Sequence, residues 1–290
     1  VADYIPALAS VDRNLFGASI ASTTGNVIEV GDATHQFSIQ SVSKPFVFAL
    51  VVDAVGYDEA RRMIGVNSTG LPFDSLRAIA RTPDGTTNPM VNAGAIAAAS
   101  LAPGDTAEAK WRFIHEGLSR FAGRELEVDR EVYASEAASN QHNQRTAQLL
   151  QRYGRIYFDP MAATDVYTRQ CALKVSARDL ALMSATLANG GVHPLTRERI
   201  IDGAHCQHVL AVMVTAGLYE NSGEWLYDTG LPGKSGVSGG IAAVAPGKAG
   251  VCTFSPPLDD AGNSVRGQLA ARYLAERLGL NLLASQPATP

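Results

Sequence analysis

The chain has 290 residues, 46% of them hydrophobic and 18% charged, which is enough apolar material for one large globular domain or two lobes. Its 24 basic and 28 acidic residues give a formal net charge of −4 without a basic run, so we expect neither a nucleic-acid partner nor binding to a membrane surface. The longest apolar stretch, 45–52, is far shorter than the roughly 20 residues of a transmembrane helix.

The three cysteines indicate the compartment. Cys171, Cys206 and Cys252 are odd in number, widely spaced and set in apolar surroundings. This pattern is typical of buried free thiols in a reducing environment. We therefore expect a cytoplasmic protein.

The first quarter of the chain predicts a hairpin and then a helix. Residues 16–31 contain two short β-type runs split by Thr24-Gly25-Asn26, a typical hairpin turn. Residues 44–56 have a helical composition, and glycines and prolines then divide the chain into shorter pieces up to Pro89.

The middle of the chain is predicted to be helical. Trp111, Ile114, Leu118 and Phe121 recur at spacings of three and four, which predicts a helix with one buried stripe that ends at Gly123. A second helix is predicted over 142–153. A third begins after Ser176 as N-cap and ends at 189–191, where the sequence is Asn-Gly-Gly.

The C-terminal part returns to strands. Two runs, 236–246 and 247–256, meet at Pro246-Gly247 and predict another hairpin, and an amphipathic helix follows over about 264–278. Strands at both ends of the chain and helices between them indicate an α+β fold. We expect an antiparallel sheet built from both terminal segments (about 1–60 and 170–290), flanked by helices, with an inserted all-helical lobe (about 61–169).

The sharpest local motif is Gln40-Ser41-Val42-Ser43-Lys44. An S-x-x-K sequence at the start of a helix places a hydroxyl and an amine on one face, one turn apart. Alone, this motif is more often an N-cap serine with a solvated lysine.

A second motif near the C-terminus makes the pair more specific. Serine hydrolases that use S-x-x-K place a K-[ST]-G strand beside the nucleophile, and here Lys234-Ser235-Gly236 opens a predicted strand. The small residues at 236–240 would let a backbone N–H approach a developing oxyanion, although a simple glycine-rich hairpin fits the same letters.

The chemistry explains why the two residues belong together. A serine hydroxyl is a poor nucleophile at neutral pH and needs a base to take its proton. Lys44 can act as this base only when neutral, so its pKa must fall from about 10.4. Burial, and a nearby positive charge such as Lys234, would both lower it.

Matches along nearly the whole chain identify a family resemblance. They lie in Asp3-Tyr4-Ile5-Pro6, Gln40 to Lys44, Asn88 to Ile96, Ser135-Glu136 with Asn143, Asp165-Val166-Tyr167 with Cys171, Leu218-Tyr219, and Leu231 to Val237. The chain resembles the serine-dependent glutaminases. This resemblance implies a β-lactamase-like fold over 1–290 as a single catalytic domain, hydrolysis of L-glutamine to L-glutamate and ammonia through an acyl-enzyme, no cofactor and no metal, and a homodimer or homotetramer.

The resemblance also implies roles for individual residues. Ser41 would be the nucleophile, Lys44 its base, and Tyr219 a proton shuttle to the leaving ammonia, while N–H groups of Ser41 and Val237 would form the oxyanion hole. The residues implied for the substrate pocket are Tyr4, Gln40, Ser41, Asn92, Glu136, Asn143, Tyr167, Tyr219 and Val237.

The chemistry of an amino-acid substrate supports this set independently. A zwitterion needs an acidic partner for its ammonium group, for which Glu136 is suited, and neutral donors for its carboxylate, which Asn92, Asn143 and Tyr4 carry. Taken singly, an asparagine in such a sequence more often lies in a turn or at a helix cap, and a tyrosine more often packs in the core.

Two departures from the family pattern do not alter the chemistry. Pro45 stands where an aliphatic residue is expected, and within the first turn of a helix its missing N–H has no intrahelical partner to lose. Gly233 stands where alanine is expected.

Other functions stay open at this point. S-x-x-K with K-S-G alone would also suit a penicillin-recognising hydrolase or β-lactamase, and a non-catalytic amino-acid sensor could keep the fold. A phosphate-loop reading of 228–235 fails because Asp228 stands where glycine is required. His205, Cys206 and His208 form a weak metal candidate without a second ligand pair.

Overall fold

The computed structural model describes residues 1–2 and 5–285. The strands are β1 (Gly17–Ser22), β2 (Val27–Gly31), β3 (Phe37–Ser38), β4 (Lys174–Val175), β5 (Gly233–Ser235), β6 (Gly240–Ala245) and β7 (Ala249–Phe254). The helices are α1 (Pro6–Ala9), α2 (Ser43–Val55), α3 (Tyr57–Ile64), α4 (Arg77–Ala80), α5 (Asn92–Leu101), α6 (Ala107–Ala122), α7 (Arg130–Ser139), α8 (Gln141–Arg152), α9 (Pro160–Cys171), α10 (Ala177–Ala188), α11 (Gly203–Ala216), α12 (Ser222–Thr229) and α13 (Val265–Arg277). Short 3-10 helices cover Gln40–Val42 and Tyr219–Asn221.

The main sheet joins the two ends of the chain. Its strand order is β2-β1-β7-β6-β5, with every neighbouring pair antiparallel, and the N-terminal hairpin meets the C-terminal strands where β1 pairs with β7. The two faces are covered by different helices because side chains alternate along each strand. Ala242 and Val244 of β6 join the main core with α10, whereas Ile241 and Ala243 pack with α13. The predicted α+β class and sheet are confirmed.

Local sequence signals set several helix ends. Ser176 accepts from the N–H of Asp179, whose carboxylate accepts from the N–H of Ser176, so α10 begins with a complete capping box. The predicted stripe of α6 is buried, and Gly123 ends this helix in the left-handed conformation at φ 69°.

Helix α2 is the central helix. Every residue from Ser43 to Val52 is buried, and α2 packs against α3, α5, α6 and α11. A helix that is hydrophobic all round is stable only inside a core, so α2 carries its first turn into the interior together with Lys44. Pro45 is the third residue of α2, as expected for the first turn.

The C-terminal strands differ from the prediction. The motif Lys234-Ser235-Gly236 does not open the strand that continues through 245. Instead β5 ends at Ser235, residues 236–239 turn back, and β6 pairs antiparallel with β5. The turn is closed by two hydrogen bonds, from the Gly236 N–H to the Gly240 carbonyl and from the Gly239 N–H to the Gly236 carbonyl, both 2.9 Å. The glycine-rich hairpin that the sequence left open is the one that forms, because Gly239 adopts φ 104°.

Two further observations concern the cysteines and the length of the helices. The three cysteines are buried and carry free thiols, as predicted. Within the described residues, the helices fall short of the length and apolarity required to span a membrane.

The contact between β7 and α10 yields a stability prediction. A Cβ added at Gly250 would overlap the main chain of α10 at Ala181 and Ala185. Gly250→Ala should therefore lower the free energy of unfolding by about 1–3 kcal/mol, the usual cost of overpacking. Denaturant unfolding would measure it. Gly223→Ala in α12, where an added Cβ meets nothing within 4 Å, should leave stability unchanged or raise it by up to about 1 kcal/mol. Equal stability of wild type and Gly250→Ala would contradict this account.

Candidate active site

Ser41 and Lys44 meet at the entry to the central helix. Ser41 lies in the 3-10 turn that leads into α2, and Lys44 is the second residue of α2. The Lys44 Nζ lies 2.9 Å from the Ser41 Oγ. Ser41 is 7% exposed and Lys44 only 1%, so the hydroxyl can meet a ligand while the amine is sealed from solvent.

The turn that carries Ser41 is held from both sides. The Ser43 hydroxyl donates to the Gln40 carbonyl at 2.8 Å and accepts from the Gln170 amide of α9 at 2.9 Å. Gln40 itself has φ 51°, a conformation that costs about 1–3 kcal/mol for a residue other than glycine. Such strain persists only where the surrounding contacts fix it, and here it aims Ser41 into the site.

Burial gives Lys44 the property that a base needs. It lowers the pKa of Lys44 from 10.5 to about 8, while Cys171 and Asp74 act in the opposite direction. Burial and the neighbouring charge of Lys44 lower the pKa of Lys234 well below its usual value. A charge–charge interaction acts on both partners, so the expected effect of Lys234 on the pKa of Lys44 stays a prediction.

Asn92 links the Ser41–Lys44 pair to the rest of the site. Its Oδ1 accepts from Lys44 Nζ at 2.7 Å and from the Tyr167 hydroxyl at 3.1 Å, and its Nδ2 donates to the Asn143 Oδ1 at 3.0 Å. One of the two N–H donors of the Asn92 amide is therefore engaged with Asn143, and its oxygen orients the amine of Lys44. The expected bond from Asn92 to a substrate carboxylate stays a prediction.

Glu136 approaches the same site from α7. Its carboxylate accepts a short hydrogen bond from the Gln40 amide. Burial raises the pKa of Glu136 from 4.5 to about 7, while the bond from Gln40 opposes the rise. A partly buried carboxylate with one neutral partner is suited to receive a cation.

Tyr219 comes from a separate turn and lies beside Ser41. It begins the second 3-10 turn with φ 56°, its hydroxyl donates to the Ser235 carbonyl at 3.2 Å, and its ring lies 4.7 Å from that of Phe73. Burial raises the pKa of Tyr219 to about 12, opposed by hydrogen bonding with Ser41. The phenol is therefore protonated at neutral pH and able to donate.

Main-chain donors complete the site. Val237 lies in the turn between β5 and β6 and lines the same cavity as Ser41. Among the hydrogen bonds of the described residues, the N–H groups of Ser41 and Val237 have no acceptor. Unpaired N–H groups beside a nucleophile are available to a developing negative oxygen.

A cavity of about 290 Å³ opens over these groups, a volume at the small end of ligand pockets, which start at about 300 Å³. The predicted site residues that line it are Gln40, Ser41, Asn92, Glu136, Asn143, Tyr167 and Val237. Lys44 and Tyr219 are not among the lining residues. Lys44 is bonded to Ser41 and Asn92, and the Tyr219 ring lies against that of Phe73, which also lines the cavity. Tyr4 lies outside the described residues.

The cavity also contains residues that the sequence prediction missed. They are Ile5, Phe73, Asp74, Ser139, Asn140, His142 and Cys171. The segment of Phe73 and Asp74 comes from the part punctuated by glycine and proline, which has no periodicity to mark it. Ser139 and Asn140 follow Glu136 by three and four residues, so helical spacing from Glu136 could have found them.

Within residues 1–2 and 5–285, His, Cys, Asp and Glu side chains form no group of three or more that could hold a metal ion.

Comparison with known proteins gives consistent relatives. A family model described as glutaminase matches residues 1–283. Glutaminase 2 of Yersinia pestis is 58% identical over 289 residues, covering 100% of this chain and 85% of that protein. The structure of a probable glutaminase, ybaS, superposes with a TM-score of 0.96 at 44% identity and covers 98% of this chain and 92% of the other. A structure of Mglu in its glutamate form superposes with a TM-score of 0.91 at 40% identity. The match covers 99% of this chain and 66% of the Mglu chain. The β-lactamase-like fold class predicted from the sequence is confirmed by this match.

The raised pKa of Glu136 predicts a pH-dependent effect on stability. The folded state binds this proton more tightly than the unfolded state, so stability is lost as pH rises from about 4.5 to about 7. Glu136→Gln should therefore be more stable than wild type by about 2 kcal/mol at pH 8, since one pKa unit corresponds to about 1.4 kcal/mol and partial exposure reduces the effect.

Urea unfolding at pH 8 and pH 4 would measure this difference, which should nearly vanish at pH 4. Glu116→Gln, at an exposed position of α6, is the matched control and should change stability little at either pH. The same gain for Glu136→Gln at both pH values would show that burial of the charge is not its cause.

Proposed function

The chain belongs to the glutaminase family, and from this premise we propose that it hydrolyses L-glutamine to L-glutamate and ammonia with Ser41 as nucleophile and Lys44 as general base. The observation that carries the proposal is the 2.9 Å contact between the Lys44 Nζ and the Ser41 Oγ beneath a small polar cavity. With its pKa lowered to about 8, about one tenth of Lys44 is neutral at pH 7, whereas a solvated lysine would be almost entirely charged.

The first half of the reaction forms an ester. The Ser41 Oγ attacks the side-chain amide carbon as its proton passes to Lys44, and the negative oxygen accepts from the N–H groups of Ser41 and Val237. The intermediate collapses with cleavage of the C–N bond. Tyr219 donates its hydroxyl proton to the departing nitrogen and regains one from Lys44, so ammonia leaves and a glutamyl ester stays on Ser41.

The second half repeats the chemistry with water. Neutral Lys44 takes a proton from a water molecule as that water attacks the ester, the same main-chain donors hold the oxyanion, and the proton returns to Ser41 when glutamate is released. The products are glutamate and ammonia, and the enzyme is regenerated. Asn92 acts by holding Lys44, and Tyr167 by holding Asn92.

The polar groups away from Ser41 suit the amino-acid end of glutamine. The carboxylate of Glu136 would receive the ammonium group and Gln40 would align it, while Asn143 and Tyr4 would donate to the substrate carboxylate. The relative solved in its glutamate form supports a ligand of this class. A buried, single-charge partner for the ammonium group favours free amino acids over peptides, whose nitrogen is acylated.

The alternative reading, a penicillin-recognising hydrolase, is less well supported. In this chain Lys234 does not line the cavity, and both of its hydrogen bonds go to main-chain carbonyls. The cytoplasmic location, the homodimer or homotetramer, and the division into a sheet-containing lobe and a helical lobe stay predictions.

Loss of the nucleophile tests the proposal directly. Ser41→Ala should lower ammonia release from L-glutamine at least about 10³-fold with an unchanged melting temperature, because the hydroxyl contributes to chemistry and little to packing. Ser10→Ala, at an exposed position outside the site, is the control. Retained turnover by Ser41→Ala would remove Ser41 from its role, and β-lactam hydrolysis by wild type without glutaminase activity would favour the alternative.

The role of Glu136 predicts a specific kinetic change. Glu136→Gln should raise KM about 10–100-fold and change kcat only a few-fold, because the ammonium group is held equally in the ground and transition states. Steady-state kinetics at pH 8, with Glu116→Gln alongside, would measure both constants. An unchanged KM would assign Glu136 a structural role.

A further inference from the structure

Lys234 is a buried polar group that the proposed reaction does not use. It is 0% exposed, on strand β5, and it is not among the residues that line the cavity. Its Nζ donates to the Gly217 carbonyl at 2.9 Å and to the Ser235 carbonyl at 2.7 Å. A fully buried amine whose bonds both go to main-chain carbonyls is placed to hold backbone rather than to bind a ligand.

Both carbonyls are connected to Tyr219. Gly217 ends α11 two residues before Tyr219, and the Ser235 carbonyl that accepts from Lys234 is the one that accepts from the Tyr219 hydroxyl at 3.2 Å. The Nζ also lies 4.3 Å from the centre of the Tyr219 ring. Lys234 therefore contacts the turn that carries Tyr219 and the acceptor that fixes its hydroxyl.

The backbone of this region is closely packed and strained. The N–H of Ser235 donates to the Gly217 carbonyl at 3.3 Å, and a Cβ added at Gly217 would overlap the Gly233 carbonyl, so the turn lies directly on β5. Tyr219 adopts φ 56°, which is unfavourable for a tyrosine and needs external contacts to persist.

We propose that Lys234 is a positioning residue that holds the strained Tyr219 turn against β5, and thereby keeps the Tyr219 hydroxyl at the Ser235 carbonyl, the position from which it acts in the proposed reaction. This inference rests on the proposed role of Tyr219 in the reaction. In this inference the lysine of the K-S-G motif positions the proton donor Tyr219 and does not bind the substrate. Loss of the amine would remove one of the two donors from each carbonyl and so weaken the contacts that hold Tyr219 in its strained conformation.

A double-mutant cycle tests this inference. Lys234→Met keeps the length and apolar stem of the side chain but removes both donors. We expect its kcat for glutamine to fall about tenfold or more, with KM within about twofold of wild type. In a Tyr219→Phe background, Lys234→Met should cause no further fall in kcat, because Lys234 acts only through the Tyr219 hydroxyl. Lys248→Met, an exposed lysine in the turn after β6, should leave kcat and KM unchanged.

Lys234→Gln gives a second variant with a buried donor group if the methionine variant does not fold, and the same non-additivity with Tyr219→Phe is expected for it. A raised KM with a preserved kcat would overturn the inference by making Lys234 a substrate-binding group. Additive losses in the double variant, or a lowered melting temperature with an unchanged kcat, would overturn it equally. If Tyr219→Phe by itself leaves kcat unchanged, the result contradicts the role of Tyr219 in the proposed reaction. A fall in kcat with Tyr219→Phe but not with Lys234→Met refutes this inference alone.

Discussion

The burial of one amine beside one hydroxyl is the constraint on which the site depends. Lys44 is inside the protein because α2 is apolar on every side and packs among four other helices. Its ammonium form is sealed from solvent, and among the residues that the structure describes its hydrogen-bond partners are the Ser41 hydroxyl and the Asn92 amide. The helix that stabilises the core thus also lowers the pKa of the base, so core packing and the chemistry of Ser41 are coupled.

Around this pair, the site is assembled from separate elements that hold strained backbone. Gln40 and Tyr219 both have positive φ, and they flank the nucleophile from the 3-10 turn before α2 and the 3-10 turn after α11. Each is tied down by buried side chains from elsewhere: Ser43 and Gln170 at the first turn, Lys234 at the second. Strain at these two positions is balanced by contacts that a single helix could not supply.

The pKa values of the two ionisable groups beside the cavity are shifted in opposite directions. Burial lowers the pKa of Lys44 and raises that of Glu136, so both groups are shifted toward neutrality in the unliganded site. A zwitterionic ligand would compensate the carboxylate with its own ammonium group. A site of this kind lowers the stability of the unliganded protein in exchange for a selective ligand environment, which is the usual compromise at functional sites.

Sequence periodicity and capping residues determined the helices and strands whose signals are local. The hairpin of β1 and β2, the stripe of α6 and the capping box of α10 follow from residues close together in the chain, and the spacing of Ser41 and Lys44 fixes their meeting one turn apart. The sequence could not predict that β5 and β6 are separate strands, or that Phe73 and Asp74 line the cavity. Both features depend on packing against elements that are distant in the chain. The fold also decided how completely Lys44 and Lys234 are buried and where the Asn92 amide points. Those outcomes depend on packing and on partners distant in the chain, such as Asn143 for Asn92, and no local pattern encodes them.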